Sequence, residues 1–376
     1  MTVRYILGFD GFGEAANATG SAVVGAGLVN HPAKPSVTAP VDRPNYTIGV
    51  SGLPEHKFGS GATLRNALAW TALGDGSSVA ACSALFPVAT DVFSTAGGAK
   101  RFMGLRLKRL RPPDAGAEAG IAVVLLSFGG STILDYLASS GRIGIPNGTS
   151  QAGPTMELVI GQEYYIEIEM IRNAAGTALS FALFIDGVEL ARYASPKSIG
   201  AVTNFRLGSS AAPTQTWKST LLFGDIYIGD ERLGPQMILT RQPTRTLESN
   251  WTPSEGNDPL ALLTGANADN DAKFITSPLD NAPDKYRMDF SLPEGYRANS
   301  AELYVRAKRN GGSDRTVAAS VVNVKTGEEV APTGNVPTVF SQNQYDTAKL
   351  WSTGVSEDLI PANINNLAMT LSSPKV

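Results

Sequence analysis

The chain has 376 residues, a length that predicts two domains rather than one ordinary hydrophobic core. Charged residues make up only 17%, and there are 39 glycines and 23 prolines, which favours a turn-rich all-β protein over a helical one. A formal net charge of −3 gives no electrostatic reason to expect nucleic acid or an anionic membrane as a partner.

Several kinds of site and segment are excluded by what the sequence lacks. Cys82 is the one cysteine, so an intramolecular disulfide and a multi-cysteine metal site are excluded. His31 and His56 leave little for a zinc centre or a histidine-based triad. The apolar run at residues 5–7 is too short for a signal peptide, and no apolar stretch reaches the length of a membrane span. We therefore expect no membrane span.

Residues 1–238 alternate between strand patterns and turn residues. GATLRNALAWTAL at 61–73 is the one stretch that favours a helix, whereas RFMGLRLKRL at 101–110 alternates as a strand does. The continuous apolar run AVVLLSF at 122–128 fits a strand covered on both faces. A short strand follows in SSGRIGIP, and we expect it to end at Pro146.

Residues 164–193 predict an antiparallel meander of three strands. Tyr164, Ile166, Ile168 and Met170 alternate with Glu167 and Glu169, the period of a strand with one buried face. Asp186-Gly187 is a strong hairpin signal between the second and third strands. Further strands are predicted at 204–210 and at 221–234, the latter with Leu222, Gly224, Ile226 and Ile228 on one face.

A polar, proline- and threonine-rich stretch around Leu239 predicts a domain boundary, so we place the domains at 1–238 and 239–376. The second block repeats the strand signals in KYRMDFSL, in AELYVRAKRNGGSDRTVAASVVNVKTGEEV and in NINNLAMTLSS. The predicted fold class is therefore all-β, with two β-sandwich domains in series and a jelly roll as the first.

The stretches FDGFG, RFMGLRLKRL, GRIGIPNG, GQEYYIEIEM, FALFIDGVEL and LLFGDIYIGDE occur in a familiar order. Residues 1–238 resemble the concanavalin A-like, laminin-G-type jelly rolls of bacteriophage virion proteins. Residues 240–376 resemble small β-sandwiches of phage tail and virion proteins, through ESNWTPSEG, DNDAKFITSPLDNAPDKYRMDFSLP and AELYVRAKRNGGSDRTVAASVV. The resemblance implies a virion protein that is made in the host cytoplasm.

Two sets of acidic residues are candidates for chemistry. Glu167 and Glu169 have the spacing of paired carboxylates in jelly-roll glycoside hydrolases, but no third carboxylate is in register. We interpret them as the solvated outer face of an amphipathic strand and expect no enzyme activity and no catalytic residue. Asp10, Asp186, Asp225 and Asp230 are oxygen ligands that calcium could use, yet turn geometry explains Asp186 equally well, and we predict no metal or cofactor.

Basic and aromatic residues give two weaker signals. RLKRLRPP at 106–113 fits contact with phosphate or an acidic polysaccharide, but also the polar face of a strand, which we favour. Trp217, in a predicted loop, is the best candidate for stacking on a sugar, whereas Trp70, Trp251 and Trp351 are expected in cores or interfaces.

The predicted function is that of a structural component of a bacteriophage virion. We expect it to be tail-associated, to link neighbouring subunits or to present an adhesion surface, and to act as a homo-oligomer, with three-fold symmetry suggested by the resemblance. The alternatives are a glycan-binding adhesin or a capsid decoration protein and, third, a polysaccharide-degrading enzyme. Other virion proteins and a host-surface glycan are the expected partners.

Overall fold

A computed structural model describes most of the chain. The described residues are 3–7, 36–38, 47–50, 54–60, 64–73, 82–89, 92–111, 122–128, 131–137, 140–147, 150–193, 196–209, 218–239, 241–264, 272–278, 281–288, 292, 294, 296–309, 315–332, 334–342, 345–353, 359 and 361–375. Their regular secondary structure is almost entirely β-strand, which confirms the predicted all-β fold. The chain divides into two compact units, Met1–Leu239 and Thr240–Val376.

Among its described residues, the first unit contains eighteen strands and a short 3-10 helix at Pro54–His56. In chain order the strands are β1 (Val3–Leu7), β2 (Ser36–Thr38), β3 (Thr47–Val50), β4 (Lys57–Phe58), β5 (Arg65–Asn66), β6 (Leu68–Leu73), β7 (Cys82–Pro87), β8 (Lys100–Arg111), β9 (Ala122–Phe128), β10 (Ser131–Leu137), β11 (Arg142–Asn147), β12 (Ser150–Glu157), β13 (Glu163–Arg172), β14 (Ala178–Ile185), β15 (Val188–Arg192), β16 (Lys197–Ser198), β17 (Asn204–Ser209) and β18 (Lys218–Gly229).

Sixteen of these strands form two large antiparallel sheets that face each other, and β4 and β5 pair separately. The nine-stranded sheet has the order β15-β14-β13-β8-β18-β6-β3, with β1 paired to β18 and β16 paired to β14. The seven-stranded sheet has the order β12-β11-β10-β9-β17-β7-β2. One core of buried apolar side chains lies between them, with Leu105 and Ile166 from the first sheet and Leu126 and Phe205 from the second. The arrangement is the jelly-roll sandwich predicted from the alternating patterns.

The meander is confirmed, with β14 paired to β13 and β15 paired to β14. Asp186 and Gly187 both have positive φ in the turn, at 48° and 88°. Aspartate tolerates this left-handed conformation better than most residues and glycine adopts it freely, so the Asp-Gly pair explains where β14 turns back.

Three local predictions are wrong. Residues 64–73 contain strands β5 and β6 rather than a helix, because β6 pairs with β18 on one side and β3 on the other. Strand β11 does not stop at Pro146, which pairs with Gln151 and is followed by Asn147 in the same strand. In β18 the pairing register shifts between Gly224 and Tyr227, so Ile226 and Ile228 enter the main core while Leu222 packs on the opposite face.

The second unit consists of smaller antiparallel sheets. Its strands are β19 (Pro243–Glu248), β20 (Thr252–Pro253), β21 (Ile275–Thr276), β22 (Asp284–Met288), β23 (Ala301–Ala307), β24 (Ala318–Asn323), β25 (Gly334–Asn335), β26 (Asp346–Thr353) and β27 (Leu367–Ser372), with one-turn helices α1 (Leu260–Leu263) and α2 (Pro361–Ile364). The sheet orders are β19-β22-β27-β24, β23-β26-β25 and β20-β21. Neither α1 nor α2, nor any other helix in the described residues, is long and apolar enough to cross a membrane.

The second unit has a hydrophobic core of its own. Tyr286, Met369 and Val321 come from the four-stranded sheet, and Trp351 and Leu350 come from β26. Both groups of side chains are buried in the same cluster, so the two sheets share one core. Each unit therefore buries the apolar surface that a domain of its size needs.

Candidate functional site

The outer face of the nine-stranded sheet carries most of the buried charge of the first unit. Glu167 is 1% exposed and Glu169 is 8% exposed, so the prediction that they form a solvated strand face is wrong. Alternation along β13 does turn them away from the core, as predicted, but residues 232–238, here called the covering segment, lie against this face. We use the name outer-face cluster for the side chains involved: Arg65, Arg106, Glu163, Tyr165, Glu167, Asp225 and Tyr227.

Asp225 is the centre of the outer-face cluster. Its carboxylate accepts from Arg65 Nη2 at 2.8 Å and from Arg106 Nε at 2.7 Å, and it is 3% exposed. The same carboxylate accepts the backbone N–H of Ile238 at 3.0 Å. Asp225 has φ 48° at the register shift in β18, and this irregular backbone directs the carboxylate towards both arginines.

Glu167 holds the adjoining part of the covering segment. Its Oε1 accepts from the Tyr227 hydroxyl at 2.6 Å and from the Gly234 N–H at 2.9 Å, while Tyr227 also accepts from the Leu233 N–H. Its Oε2 is buried and accepts no hydrogen bond in the described part of the chain, and Arg232 Nε lies 3.8 Å away. Oε1 of Glu167 therefore accepts two hydrogen bonds, whereas Oε2 has Arg232 near it but outside hydrogen-bond distance.

Glu169 is neutralised differently, by cations at the edge of the face. Lys100 Nζ lies 2.7 Å from one of its oxygens and Arg192 Nη1 lies 3.1 Å from the other. Burial opposes ionisation of this carboxyl, but the hydrogen bonds from Lys100 and Arg192 outweigh it and lower the pKa of Glu169 below its usual value. Glu169 is thus an ionised, fully paired side chain.

Two tyrosines complete the cluster. Burial raises the pKa of Tyr165 well above its usual value, and neighbouring Tyr227 and Asp225 add to the effect. Burial also raises the pKa of Tyr227, together with its hydrogen bond to Glu167. Both phenols therefore stay protonated, and Tyr227 acts as a hydrogen-bond donor to Glu167.

The aspartates considered as calcium ligands have other partners. Asp186 accepts from the Tyr165 N–H at 2.8 Å, Asp225 binds two arginines, and Asp230 lies 2.9 Å from Arg101 Nη1. Asp10 lies outside the described residues. No group of metal-ligating side chains occurs in the ranges that the structure describes.

The basic run is also part of the fold. Arg106 joins the outer-face cluster, Lys108 donates to the carbonyl of Lys57, and Arg109 donates to the carbonyl of Leu158. Arg109 is 5% exposed, so it presents little charge to solvent. Polar contacts within the first unit thus explain much of this run.

Three of the four tryptophans are buried, and the fourth lies outside the residues that the structure describes. Trp70, Trp251 and Trp351 are buried in the two cores, as expected. Trp217, the candidate for stacking on sugar, lies outside the described residues. Sequence reasoning missed Arg65 and Tyr227, whose roles depend on strands distant in the chain.

Asp135 is a further buried acid, and sequence reasoning missed it, although a lone carboxyl in the apolar strand STILDYL is a signal that was available. It is 4% exposed. Burial raises its pKa to about 6, and the nearby charge of Lys197 offsets part of the effect. Tyr193 and Lys197 close this site by donating to the backbone carbonyls of Ile133 and Thr132.

Because this folded-state pKa lies above the unfolded value, Asp135 stabilises the fold most at low pH. That stabilisation is present below pH 3.8 and is lost as the pH rises through about 6. We expect Asp135→Asn to remove the dependence, so that from about pH 5 to about pH 8 the native protein loses about 1 kcal/mol relative to the variant, after allowance for solvent screening. Urea unfolding of both proteins across this range measures the difference, and parallel stability curves would contradict the expectation.

Comparison with known proteins gives only distant structural similarity. No protein-family model and no curated protein matches the chain. Among solved structures, Cellulose induced protein Cip1 is 14% identical with a TM-score of 0.37, covering 54% of this chain and 94% of that one. A GH131 β-glucanase catalytic domain from Podospora anserina is 16% identical with a TM-score of 0.31, covering 53% and 84%. Alginate lyase AlyC3 is 11% identical with a TM-score of 0.30, covering 43% and 74%.

These similarities correct one expectation. We expected the chain not to be an enzyme, and that expectation is wrong, because two of these three structures are named as enzymes. Their names give no indication of a bacteriophage origin. With TM-scores below 0.5 they assign no activity to this chain, whose own geometry is that of an all-β jelly-roll sandwich followed by a second β-unit.

Proposed function

We propose that the chain is a structural component of a bacteriophage virion, associated with the tail, that links neighbouring subunits or presents an adhesion surface. The observation that carries the proposal is the set of buried polar contacts that join the outer sheet face to the segment covering it. Asp225 joins Arg65 and Arg106 to Ile238, and Glu167 joins Tyr227 to Gly234. A sheet face tied to its covering segment by buried charges resists deformation, which suits a subunit under mechanical load.

The sequence resemblance supports the virion part of the proposal. It leads us to propose a homo-oligomer, assembled from chains made in the host cytoplasm, with other virion proteins and a host-surface glycan as partners. Closed symmetry is the usual arrangement for repeated copies of one chain, and a three-fold axis is the form that we propose here.

Two measurements test the virion role together. Light scattering on the purified full chain should give a homo-oligomer, and antibody raised against it should decorate the tails of particles released by the producing host. An unrelated antibody of the same class is the control. A chain that stays monomeric at high concentration and is missing from purified particles would contradict the proposal.

A second candidate is cleavage of a polysaccharide at the outer-face cluster. The observation that favours it is the contact of Glu167 with Tyr227, at 2.6 Å, next to a Glu167 oxygen that accepts no hydrogen bond among the described residues. A carboxylate and a phenol in hydrogen-bond contact are the groups that general acid–base catalysis uses. Leu233 and Gly234 lie against this pair, so the covering segment would have to move for a sugar to reach it.

Product release from a panel of polysaccharides tests this candidate. If the cluster is catalytic, Glu167→Gln and Tyr227→Phe should each lower the rate about a hundredfold or more. Glu169→Gln is the matched control, because Glu169 lies on the same strand face but is fully paired by Lys100 and Arg192. Equal rates in all variants, or no product from any polysaccharide, would exclude the candidate.

A further inference from the structure

The three-stranded sheet of the second unit has one face outside the core. Leu303 and Val305 of β23 pack against the second core, so the alternate residues Tyr304 and Arg306 point to the opposite face. Across the sheet, Tyr304 pairs with Lys349 of β26. We use the name Tyr345 face for the side chains gathered here: Glu302, Tyr304, Arg306, Lys308, Tyr345 and Lys349.

Cations outnumber carboxylates among these side chains. The carboxylate of Glu302 has both oxygens occupied, one by Lys349 Nζ at 2.8 Å and the other by the Tyr304 hydroxyl at 2.5 Å. It therefore neutralises Lys349. The excess of positive charge is local, because the whole chain has a net charge of −3.

The remaining cations lie next to one aromatic ring. The Arg306 guanidinium carbon is 5.5 Å from the centroid of the Tyr345 ring, and Lys308 Nζ is 4.8 Å from it. Lys308 is exposed at the end of this row of side chains. Its ammonium group is therefore held in position by the ring and remains available to an anion from solvent.

The geometry points to an acidic polysaccharide as the ligand of the Tyr345 face. Charge complementarity selects an anionic partner, since the exposed Lys308 ammonium lies beside the positive charge of Arg306, whose Nη1 also donates to the carbonyl of Tyr345 at 3.3 Å. The same two cations lie over the Tyr345 ring, where a nucleic acid base would have to stack, so the face offers ionic contacts rather than a stacking platform. A polymer that repeats carboxylate groups meets that requirement. This inference holds whether or not the chain is part of a virion.

Affinity electrophoresis of the full chain tests the inference with three probes: the polyuronate alginate, neutral dextran and single-stranded oligothymidine. We expect alginate to retard the native chain and dextran to have no effect. Lys308→Glu should weaken alginate binding about tenfold, because it replaces a charge-assisted contact by a repulsive one. Lys325→Glu makes the same charge change at another exposed lysine of the second unit, in the turn after β24, and should change binding less than about twofold.

Circular dichroism of each variant establishes that it is folded, so a loss of binding reports on the surface. The inference is overturned if alginate does not retard the native chain. It is also overturned if the two lysine variants weaken binding equally, since that result would indicate only a general effect of charge. Binding of oligothymidine that exceeds binding of alginate and depends on Lys308 would make the face a nucleic acid surface instead.

Discussion

Asp225→Asn is expected to lower the free energy of unfolding of the first unit by about 3–5 kcal/mol, the cost of removing one partner from a buried ion pair. The substitution replaces the carboxylate that pairs with Arg65, which is 4% exposed, and removes the buried negative charge beside Arg106. Asparagine tolerates the positive φ of this position as aspartate does, so the backbone is not the cause of the loss. Asp225→Asn therefore tests the contribution of the carboxylate charge with little change in the shape of the side chain.

Asp230→Asn is the matched control for this prediction. Asp230 also pairs with an arginine, Arg101, but its side chain is 29% exposed, so the loss should stay below about 1 kcal/mol. Hydrogen exchange resolved by mass spectrometry, followed on peptides of β8 and β18, gives the unfolding free energy of this unit for both variants. Losses of equal size would mean that the buried position of Asp225 adds nothing.

Gly104→Ala is expected to destabilise the first unit by about 3 kcal/mol. A Cβ at this position would lie 2.1 Å from Cε1 of Tyr227 and 2.8 Å from the hydroxyl oxygen of Tyr165. Both rings are buried in the outer-face cluster and cannot move aside without breaking the Tyr227 contact with Glu167. Because Gly104 has no side chain, the ring of Tyr227 can pack directly over the backbone of β8 at this position.

Gly200→Ala serves as the control for steric overlap. A Cβ at Gly200 would meet no atom within 4 Å, so this substitution should leave the unfolding free energy unchanged or raise it by a few tenths of a kcal/mol. The same hydrogen-exchange measurement applies. If Gly104→Ala changes the unfolding free energy as little as Gly200→Ala does, the Tyr227 and Tyr165 rings must be able to move away from the new Cβ at little cost. That result would contradict the tight packing around Gly104.

The local patterns predicted a large share of the fold. Alternation in residues 164–170 predicts strand β13, and Asp186-Gly187 predicts the turn from β14 to β15, because both signals act within a few residues. The stretch at 61–73 failed for the opposite reason. Its leucines and alanines suit a helix locally, but β6 lies between β18 and β3, and pairing on both edges outweighs helix propensity.

The candidate site was less predictable than the fold. The sequence identified Glu167 and Asp225 as candidates but associated them with different chemistry, and it gave no reason to connect either with Arg65 or Tyr227. Arg65 and Asp225 are 160 positions apart, and Glu167 and Gly234 are 67 apart. Contacts of that sequence separation leave no local period in the sequence, so strand order alone brings them together.

The sequence by itself determined which side chains of β13 face the core and which face away, because a strand has a period of two. It also determined the tight turns, since few residues accept a positive φ. Only the tertiary structure decided that the outward face of β13 is not exposed to solvent. Residues 232–238 lie against it, and their backbone N–H groups at Gly234 and Ile238 require acceptors once they are removed from water. Glu167 and Asp225 supply those acceptors, which explains why Glu167, interpreted from the pattern as part of a solvated face, is buried in the folded chain together with Asp225.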